Sequence, residues 1–331
     1  MKIDFRDISV VIQGPIDWSM DERYFMPTTH ALCSNIRNFM PGAEIILSTW
    51  DGQRHDGLDI DKVVGREDPG AQGAWPSFVP TNVNRQIIGT VAGLKASSRP
   101  YCLKCRSDMV LEGISFLDTY SALPQIHPDR RQIFDRPIVS NNLSSRNTSE
   151  ILNRIPGHPL LFHPSDHIHF GLQKDLLSLW DIPLQSDEDG FFFLDRAQPN
   201  PWRYHELSRL TPEQFILTSA IAKKIPINFL HFAHSSPEMN ELSQYYMSTH
   251  FAFVPDRAFP VHFAKYHTPH HFSFEWMRIN PDPHAPKELK TRRDWRWRIS
   301  FPFRDPAGFR RWLKRRVVAK VRQIRSRLGA T

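Results

Sequence analysis

Three cysteines in 331 residues are too few, and odd in number, to staple a fold with disulfides, and they suit a reducing compartment. Long apolar runs are also missing, since no stretch approaches the ~20 residues a membrane-spanning helix needs. Met1-Lys2-Ile3-Asp4 lacks the charged-then-apolar layout of a signal peptide, and a strand pattern begins almost at once. A cytoplasmic address is the expectation. There is no internal repeat, no low-complexity tract and no His-Glu-x-x-His zinc-protease motif. The loop Gln13-Gly14-Pro15-Ile16-Asp17 has neither the glycines nor the cation that nucleotidyltransferases place after their first strand.

What remains is an ordinary globular composition, 40% hydrophobic, 23% charged and 12% aromatic, with 27 prolines pointing to many loops. The net charge of +7 is unevenly spread. Residues 287–331 hold 16 Lys and Arg against Glu288, Asp294 and Asp305, a net of +13, which leaves −6 on residues 1–286. A mildly acidic body with a basic tail fits an anionic surface and not a nucleic-acid-binding body.

Ile8-Ser9-Val10-Val11-Ile12 reads as a buried strand closed by Gln13-Gly14-Pro15. Residues 24–39 read as a helix with Phe25, Leu32, Ile36 and Phe39 on its apolar face. Strands follow at 44–50 and 62–64, then a helix at 82–96, capped by Thr81 or Asn82 with Val83, Ile87, Val91 and Leu94 inward. Residues 100–106 form the next strand. This alternation predicts an α/β fold: an open, mostly parallel Rossmann-type sheet with helices on both faces. Ligands of such sheets bind beyond the carboxyl ends of the strands. Three polar clusters fall there: Gln13-Gly14-Pro15, Thr49-Trp50-Asp51 and Arg106-Ser107-Asp108. The loop-rich stretch 118–165 resists assignment, a short helix follows at 175–180, and Thr211-Pro212-Glu213 opens another.

Arg106-Ser107-Asp108 is a degenerate Asp-x-Asp motif, in which a strand-end carboxylate holds a divalent ion (Mg²⁺ or Mn²⁺) that bridges a donor diphosphate. An arginine replaces the first acid, so two arrangements are open: Asp108 as metal ligand, or Arg106 neutralising the diphosphate through its planar fork. Lys104, on the same strand face, adds a second cation. The plainer alternative is an Arg106–Asp108 strand-end salt bridge. Asn84-Arg85, at the start of a helix, form a candidate phosphate site or a solvated first turn. Asp51 is placed for a ribose or base contact, or is simply a turn residue. Cys102 and Cys105 point to opposite faces of their strand, so their C-x-x-C spacing is not a metal site. His262, His267, His270 and His271 fall among prolines and aromatics, as packing or loop residues do. Transfer at an anomeric carbon needs one carboxylate base, for which Glu213 and Asp166 are the candidates; Glu213 also suits a first helical turn on capping grounds alone.

In the tail, Asp305-Pro306 opens a helix whose Phe309, Leu313, Val317, Val321, Ile324 and Leu328 form one stripe among Arg and Lys. Such a basic amphipathic helix over 305–328 lies on an anionic membrane surface, with Trp295, Trp297 and Phe301 in the headgroup layer; the alternative is a helix docked on the protein's own core. Three regions result: 1–117 for nucleotide-sugar binding, 118–286 as the acceptor side of the same catalytic domain, and 287–331 as the membrane-associating tail.

Taken in order, Val11-Ile12-Gln13-Gly14-Pro15-Ile16, Ile45 through Gly52, Asn82-Val83-Asn84-Arg85-Gln86-Ile87 and Leu103 through Asp108 resemble the WavE-type lipopolysaccharide-synthesis family. Phe170-Gly171-Leu172, Leu179 through Pro183 and Pro212-Glu213-Gln214-Phe215 extend the likeness over roughly residues 8–235. The resemblance implies a GT-A-like glycosyltransferase with a nucleotide-sugar donor and a glycan or lipid-linked glycan acceptor; the basic tail adds the expectation of peripheral association with the inner membrane. Sugar-phosphate nucleotidyltransferase and non-catalytic nucleotide-binding membrane protein are the alternatives.

Overall fold

A computed structural model describes residues 3–73, 79–141, 145, 160–197, 199, 206–254 and 259–263. The chain divides into two units, Met1–Trp276 and Met277–Thr331, and everything described below belongs to the first. The basic helix expected over 305–328, and His267, His270 and His271, lie outside the described residues.

The first strand, β1 (Ile8–Gln13), is buried along its whole length, as a continuous β-branched run in a two-sided sheet must be. A hairpin of β2 (Met20–Asp21) and β3 (Met26–Pro27) leads into α1 (Thr28–Phe39). The helix expected from residue 24 therefore starts at Thr28. Pro27 explains the shift, because proline biases the residue before it toward extended backbone and cannot donate within a helix. Phe25, expected on the buried face, is 85% exposed with φ 54°. Then come β4 (Glu44–Trp50), β5 (Lys62–Arg66), α2 (Val83–Ala96) and β6 (Tyr101–Arg106), close to the expected bounds.

β7 (Val110–Leu111) comes next, α3 (Phe116–Ala122) runs into the stretch that resisted assignment, and β8 (Ile138–Asn141) lies within it. Beyond it lie β9 (His169–Leu172), α4 (Gln173–Trp180), α5 (Asp187–Gly190), α6 (Pro212–Ala222), α7 (Pro237–Thr249), β10 (Phe251–Val254) and β11 (Val261–His262). β11 pairs with β7, and its His262 lies 3.0 Å from the buried Asp21, tying the β2–β3 hairpin to the body.

Seven strands form the central sheet in the order β10-β8-β9-β6-β1-β4-β5, with β9 antiparallel to both neighbours and the other pairs parallel. One face packs Val11, Ile46 and Cys102 against α2, α4, α6 and α7. The opposite face packs Val10, Ile12, Leu103 and Cys105 against α1 and α3. Helices thus cover both faces, and the two cysteines of the C-x-x-C spacing belong to different cores, as alternation along a strand requires. Each buried Ile or Leu contributes roughly 1.5–3 kcal/mol, so these two layers dominate the stability of the fold.

Candidate active site

From β1 the sheet grows through β4 to β5; α2 then carries the chain back across to β6 on the other side of β1. The carboxyl ends of β1 and β6 therefore flank a topological switch point, where ligands of open α/β sheets bind. The backbone there is zipped together. Gly14 has φ 125°, and a Cβ on it would lie 2.8 Å from the Ser107 hydroxyl, so both conformation and space require glycine. Its N–H donates to Ser48 O at 3.1 Å, while Ser107 N–H donates to Gln13 O at 3.0 Å and the Ser107 hydroxyl to Pro15 O at 2.5 Å. Gln53 Oε1 accepts from Ile16 N–H at 2.8 Å and from the Thr49 hydroxyl at 2.7 Å. Gln13, Gly14, Pro15 and Thr49 thus form one fixed floor. The Gln13 side chain lies against Gly89 of α2, where a Cβ would be 2.9 Å from Gln13 Cγ. Trp50 is buried, and Asp51 is an exposed turn residue folded over Gly65 of β5.

Beside that floor lies a cluster of charges. Arg106 and Asp108 form a bidentate pair, Nε to Oδ1 at 2.8 Å and Nη2 to Oδ2 at 2.5 Å, with side chains 21% and 24% exposed. Lys104 is fully buried, donates Nζ–H to the Asp166 carbonyl oxygen, and holds its ammonium 4.6 Å from the Trp180 ring centre. Burial pulls its pKa down to about 8, against the favourable field of Asp166. Burial alone would raise the Asp166 carboxyl, but His167, Lys104 and Arg106 and a hydrogen bond from Gln86 outweigh it and hold the group at about 2. His167, 3.5 Å from Asp166, is held by burial at about 4 despite that neighbour.

The segment carrying Asp166 is fixed by its own buried hydrogen bonds. Ser165 N–H donates to Ser145 Oγ at 2.9 Å, and the Ser140 hydroxyl to Ile168 O at 3.1 Å. His169 donates Nε2–H to Ser165 O at 2.6 Å and accepts the Trp180 indole N–H on Nδ1 at 3.2 Å, so one neutral tautomer satisfies both. Burial holds that ring at about 3. Upstream, His163 Nε2 lies 3.4 Å from Glu213 Oε2 in the first turn of α6. That turn is set by a capping box: Thr211 Oγ1 accepts from Gln214 N–H at 3.3 Å, and Gln214 Oε1 from Thr211 N–H at 3.2 Å. Gln214 Nε2 also donates to Leu161 O at 3.0 Å, which locks the two partners' backbones together.

The structure brings Gln13, Gly14, Pro15, Thr49, Lys104, Arg106, Asp108 and Asp166 to one edge, and gives Glu213 a buried histidine partner. Asn84 and Arg85 are engaged elsewhere. The Asn84 carboxamide grips the Gln185 backbone, donating to its carbonyl at 3.0 Å and accepting its N–H at 2.7 Å. Arg85 forms a bidentate pair with Asp68 at 2.7 and 2.6 Å and donates to Asn82 Oδ1 at 3.0 Å. Sequence reasoning missed Gln86, His163 and His167 as members of the site; the run His163-Pro164-Ser165-Asp166-His167 was their signal, too polar for the buried strand it precedes. It also missed Asn141, fully buried at the end of β8, whose carboxamide atoms have no hydrogen-bond partner among the described residues. For a divalent ion, Asp108 supplies one carboxylate, and both its oxygens accept from Arg106. Among the described residues no group of three or more His, Cys, Asp or Glu is placed to hold a metal. An ion at Asp108 would have to displace Arg106 from the carboxylate.

An open, mostly parallel sheet with helices on both faces and buried charges gathered at its switch point defines an α/β protein of Rossmann-type architecture. More specifically, the chain belongs to the WavE lipopolysaccharide synthesis family, whose profile matches residues 8–271, and its role lies in lipopolysaccharide synthesis. No curated protein matches it. Among solved structures it is similar to the nucleoside-diphosphate-sugar pyrophosphorylase from Vibrio cholerae RC9, at 12% identity and a TM-score of 0.30, over 78% of this chain and 95% of that one.

Proposed function

We propose that this protein is a GT-A-like glycosyltransferase that moves a sugar from a nucleotide-sugar donor to a lipopolysaccharide or surface-polysaccharide acceptor, free or lipid-linked. The observation that carries the reading is the Arg106–Asp108 pair beside the fixed Gln13-Gly14-Pro15 floor at the switch point, in a chain of the lipopolysaccharide synthesis family. When the donor enters, Arg106 turns part of its planar fork from Asp108 to the diphosphate, where negative charge grows as the glycosidic bond breaks. Asp166, held at about 2 among cations, is a poor proton acceptor. Glu213 is the better base: it is part-exposed, fixed in the first turn of α6, and has His163 beside it to receive or share the acceptor proton.

Membrane attachment through 305–328, on the inner face of the cytoplasmic membrane, belongs to the same proposal. It rests on the +13 tail, and no helix among the described residues is long and apolar enough to cross a membrane. Sedimentation with anionic liposomes at low and high salt tests that attachment. The enzyme reading is tested by a thermal-shift panel of UDP-, GDP-, CMP- and dTDP-sugars with and without Mn²⁺, followed by donor-hydrolysis assays on any binder. A ligand bound only by the native state raises the midpoint by mass action. No shift and no hydrolysis with any donor would sink the reading, and the Mn²⁺ arm reads metal dependence directly.

A further inference from the structure

Lys104 was expected to meet phosphate directly, yet its side chain has no exposed surface, and its ammonium is enclosed between the Trp180 ring and the Asp166 carbonyl. A buried cation is costly to desolvate and holds its place through its partners, so those partners show what it does. The surroundings show what its position controls. Trp180 supports Lys104 from below and, through its indole N–H, also fixes His169 at 3.2 Å. His169 then holds the carbonyl of Ser165 while Lys104 holds the next carbonyl, that of Asp166. Ser145 holds the Ser165 N–H at 2.9 Å, and Ser165 Oγ accepts the His167 N–H at 3.3 Å. The backbone at 165–167 is therefore gripped from β6, from β9 and by Ser145. The Asp166 carboxylate is thereby held 3.5 Å from His167 Nε2, with a hydrogen bond from Gln86 and in the field of Lys104 and Arg106.

We propose that Lys104 is a positioning residue for donor binding. It fixes the 165–167 backbone, and with it the Asp166 carboxylate beside His167, at the carboxyl edge where the diphosphate is read to bind, and it does not itself touch the donor. This rests on the reading of the carboxyl edge as a diphosphate site. The influence runs from Lys104 through the 165–167 backbone to the donor edge, so loss of Lys104 weakens donor affinity more than it lowers turnover at saturating donor.

The test titrates UDP, GDP, CDP and dTDP into the full-length chain by calorimetry, with steady-state KM and kcat for the sugar nucleotide of whichever binds. Lys104→Met should fold with a lowered melting temperature, since the Asp166 carbonyl and carboxylate lose a buried partner, and bind the nucleotide at least ~10-fold more weakly, as small misplacements of a binding constellation do. Lys104→Gln, which keeps an N–H for the Asp166 carbonyl, should recover part of that loss, and a purely structural role predicts no such rescue of affinity. Asp166→Asn should match Lys104→Met, and the double variant should be no worse than either. If Lys104→Met does not fold, Lys104→Arg keeps charge and donors while displacing the carbonyl, and the same weakening is expected. Wild-type affinity in the folded Lys104 variants, with Asp166→Asn impaired, overturns the positioning role alone. Failure of the wild-type chain to bind any of the four nucleotides overturns the site reading and this inference with it.

Discussion

The start of α2 and the carboxyl end of β6 are both polar, both carry an arginine paired with an aspartate, and both looked like phosphate sites from sequence. They differ in what the charges face. At α2, Arg85 and Asp68 are each about a third exposed, and Asn84 closes both its hydrogen bonds on the Gln185 backbone. At β6, a fully buried lysine, a buried aspartate and a histidine held neutral by burial surround a half-buried Arg–Asp pair. Desolvation is what separates the two. An exposed pair is nearly neutral in free energy, whereas buried charges persist only where geometry compensates them or function needs them. The α2 region is a joint, and the β6 region is the candidate site.

The largest effect that would break this contrast is on activity. Asp108→Asn keeps the volume and part of the hydrogen bonding to Arg106 but loses the charge that orients it. Donor turnover should fall about 1,000-fold with the melting temperature little changed, the scale seen when one preorganised charge contact is removed. Unchanged turnover in donor-hydrolysis assays would remove β6 from the site.

The second expectation is a pH dependence in which the β6 region supplies two of three histidines held low by burial, His250 before β10 being the third. His167, His169 and His250 are held by burial at about 4, 3 and 4, below the ordinary 6.5. The unfolded chain therefore binds more protons than the native one below 6.5, and stability present above that pH is lost as pH falls. Asp175 acts in the opposite sense. Burial raises it from 3.8 to about 6 even though it accepts the backbone N–H groups of Asp135 and Arg136, so acidification through 6 relieves a cost. One such proton is outweighed by three, and stability should drop on the order of 4 kcal/mol between pH 6.5 and 5. Urea midpoints across that range measure it. His167→Gln should flatten the slope, and Asp175→Asn should steepen it. A flat profile would mean the histidines are solvated and the contrast in burial is false.

Glu213→Gln comes next, with kcat lowered by about 100-fold and donor KM kept if the carboxylate takes the acceptor proton. A loss confined to melting temperature would return Glu213 to helix-end stabilisation.

Why one arginine was readable and the other misleading has a physical reason. Strand and helix periodicity located β1, β4, α2 and β6 well because those elements bury regular apolar faces on consecutive stretches of chain. The same periodicity placed Arg106 and Asp108 at the sheet edge. It could not report that Asn84 meets Gln185, a residue 101 positions away, or that Asp68 reaches Arg85. His163 and His167 were harder still: their role depends on β9 running antiparallel beside β6, which brings a loop at 163–168 to the carboxyl edge. A four-residue strand following a polar run carries almost no periodic signal, and β8 and α3 were lost for the same reason.

Among changes at α2, Asn84→Ala should cost more than any loss of surface charge. It leaves the Gln185 N–H without its partner, while Gln72 Nε2 still donates to the Gln185 carbonyl at 3.0 Å, so a loss of about 2 kcal/mol is expected, within the roughly 1–3 kcal/mol of one unsatisfied buried group. Donor affinity should stay within a factor of about 2. Loss of donor binding without loss of stability would make this joint part of the site after all.

The smallest effect distinguishes the two arginines most directly. Arg85 makes a bidentate contact with Asp68 and a third bond to Asn82, and this pairing, helped by the Gly70 N–H, holds the Asp68 carboxyl below its ordinary range, with burial opposing. The partners are each about a third exposed, so solvent screens the pair and side-chain entropy offsets much of its attraction. Arg85→Ala should therefore lower stability by less than about 1 kcal/mol, and that loss should shrink further in high salt. Donor binding should be indifferent to it, because the guanidinium is committed to the loop before α2 and not to the switch point. Arg106→Ala, at the same formal charge change, should abolish donor binding. Equal loss of affinity in the two variants would show that net positive charge along the edge, and not the buried geometry at β6, is what attracts the donor.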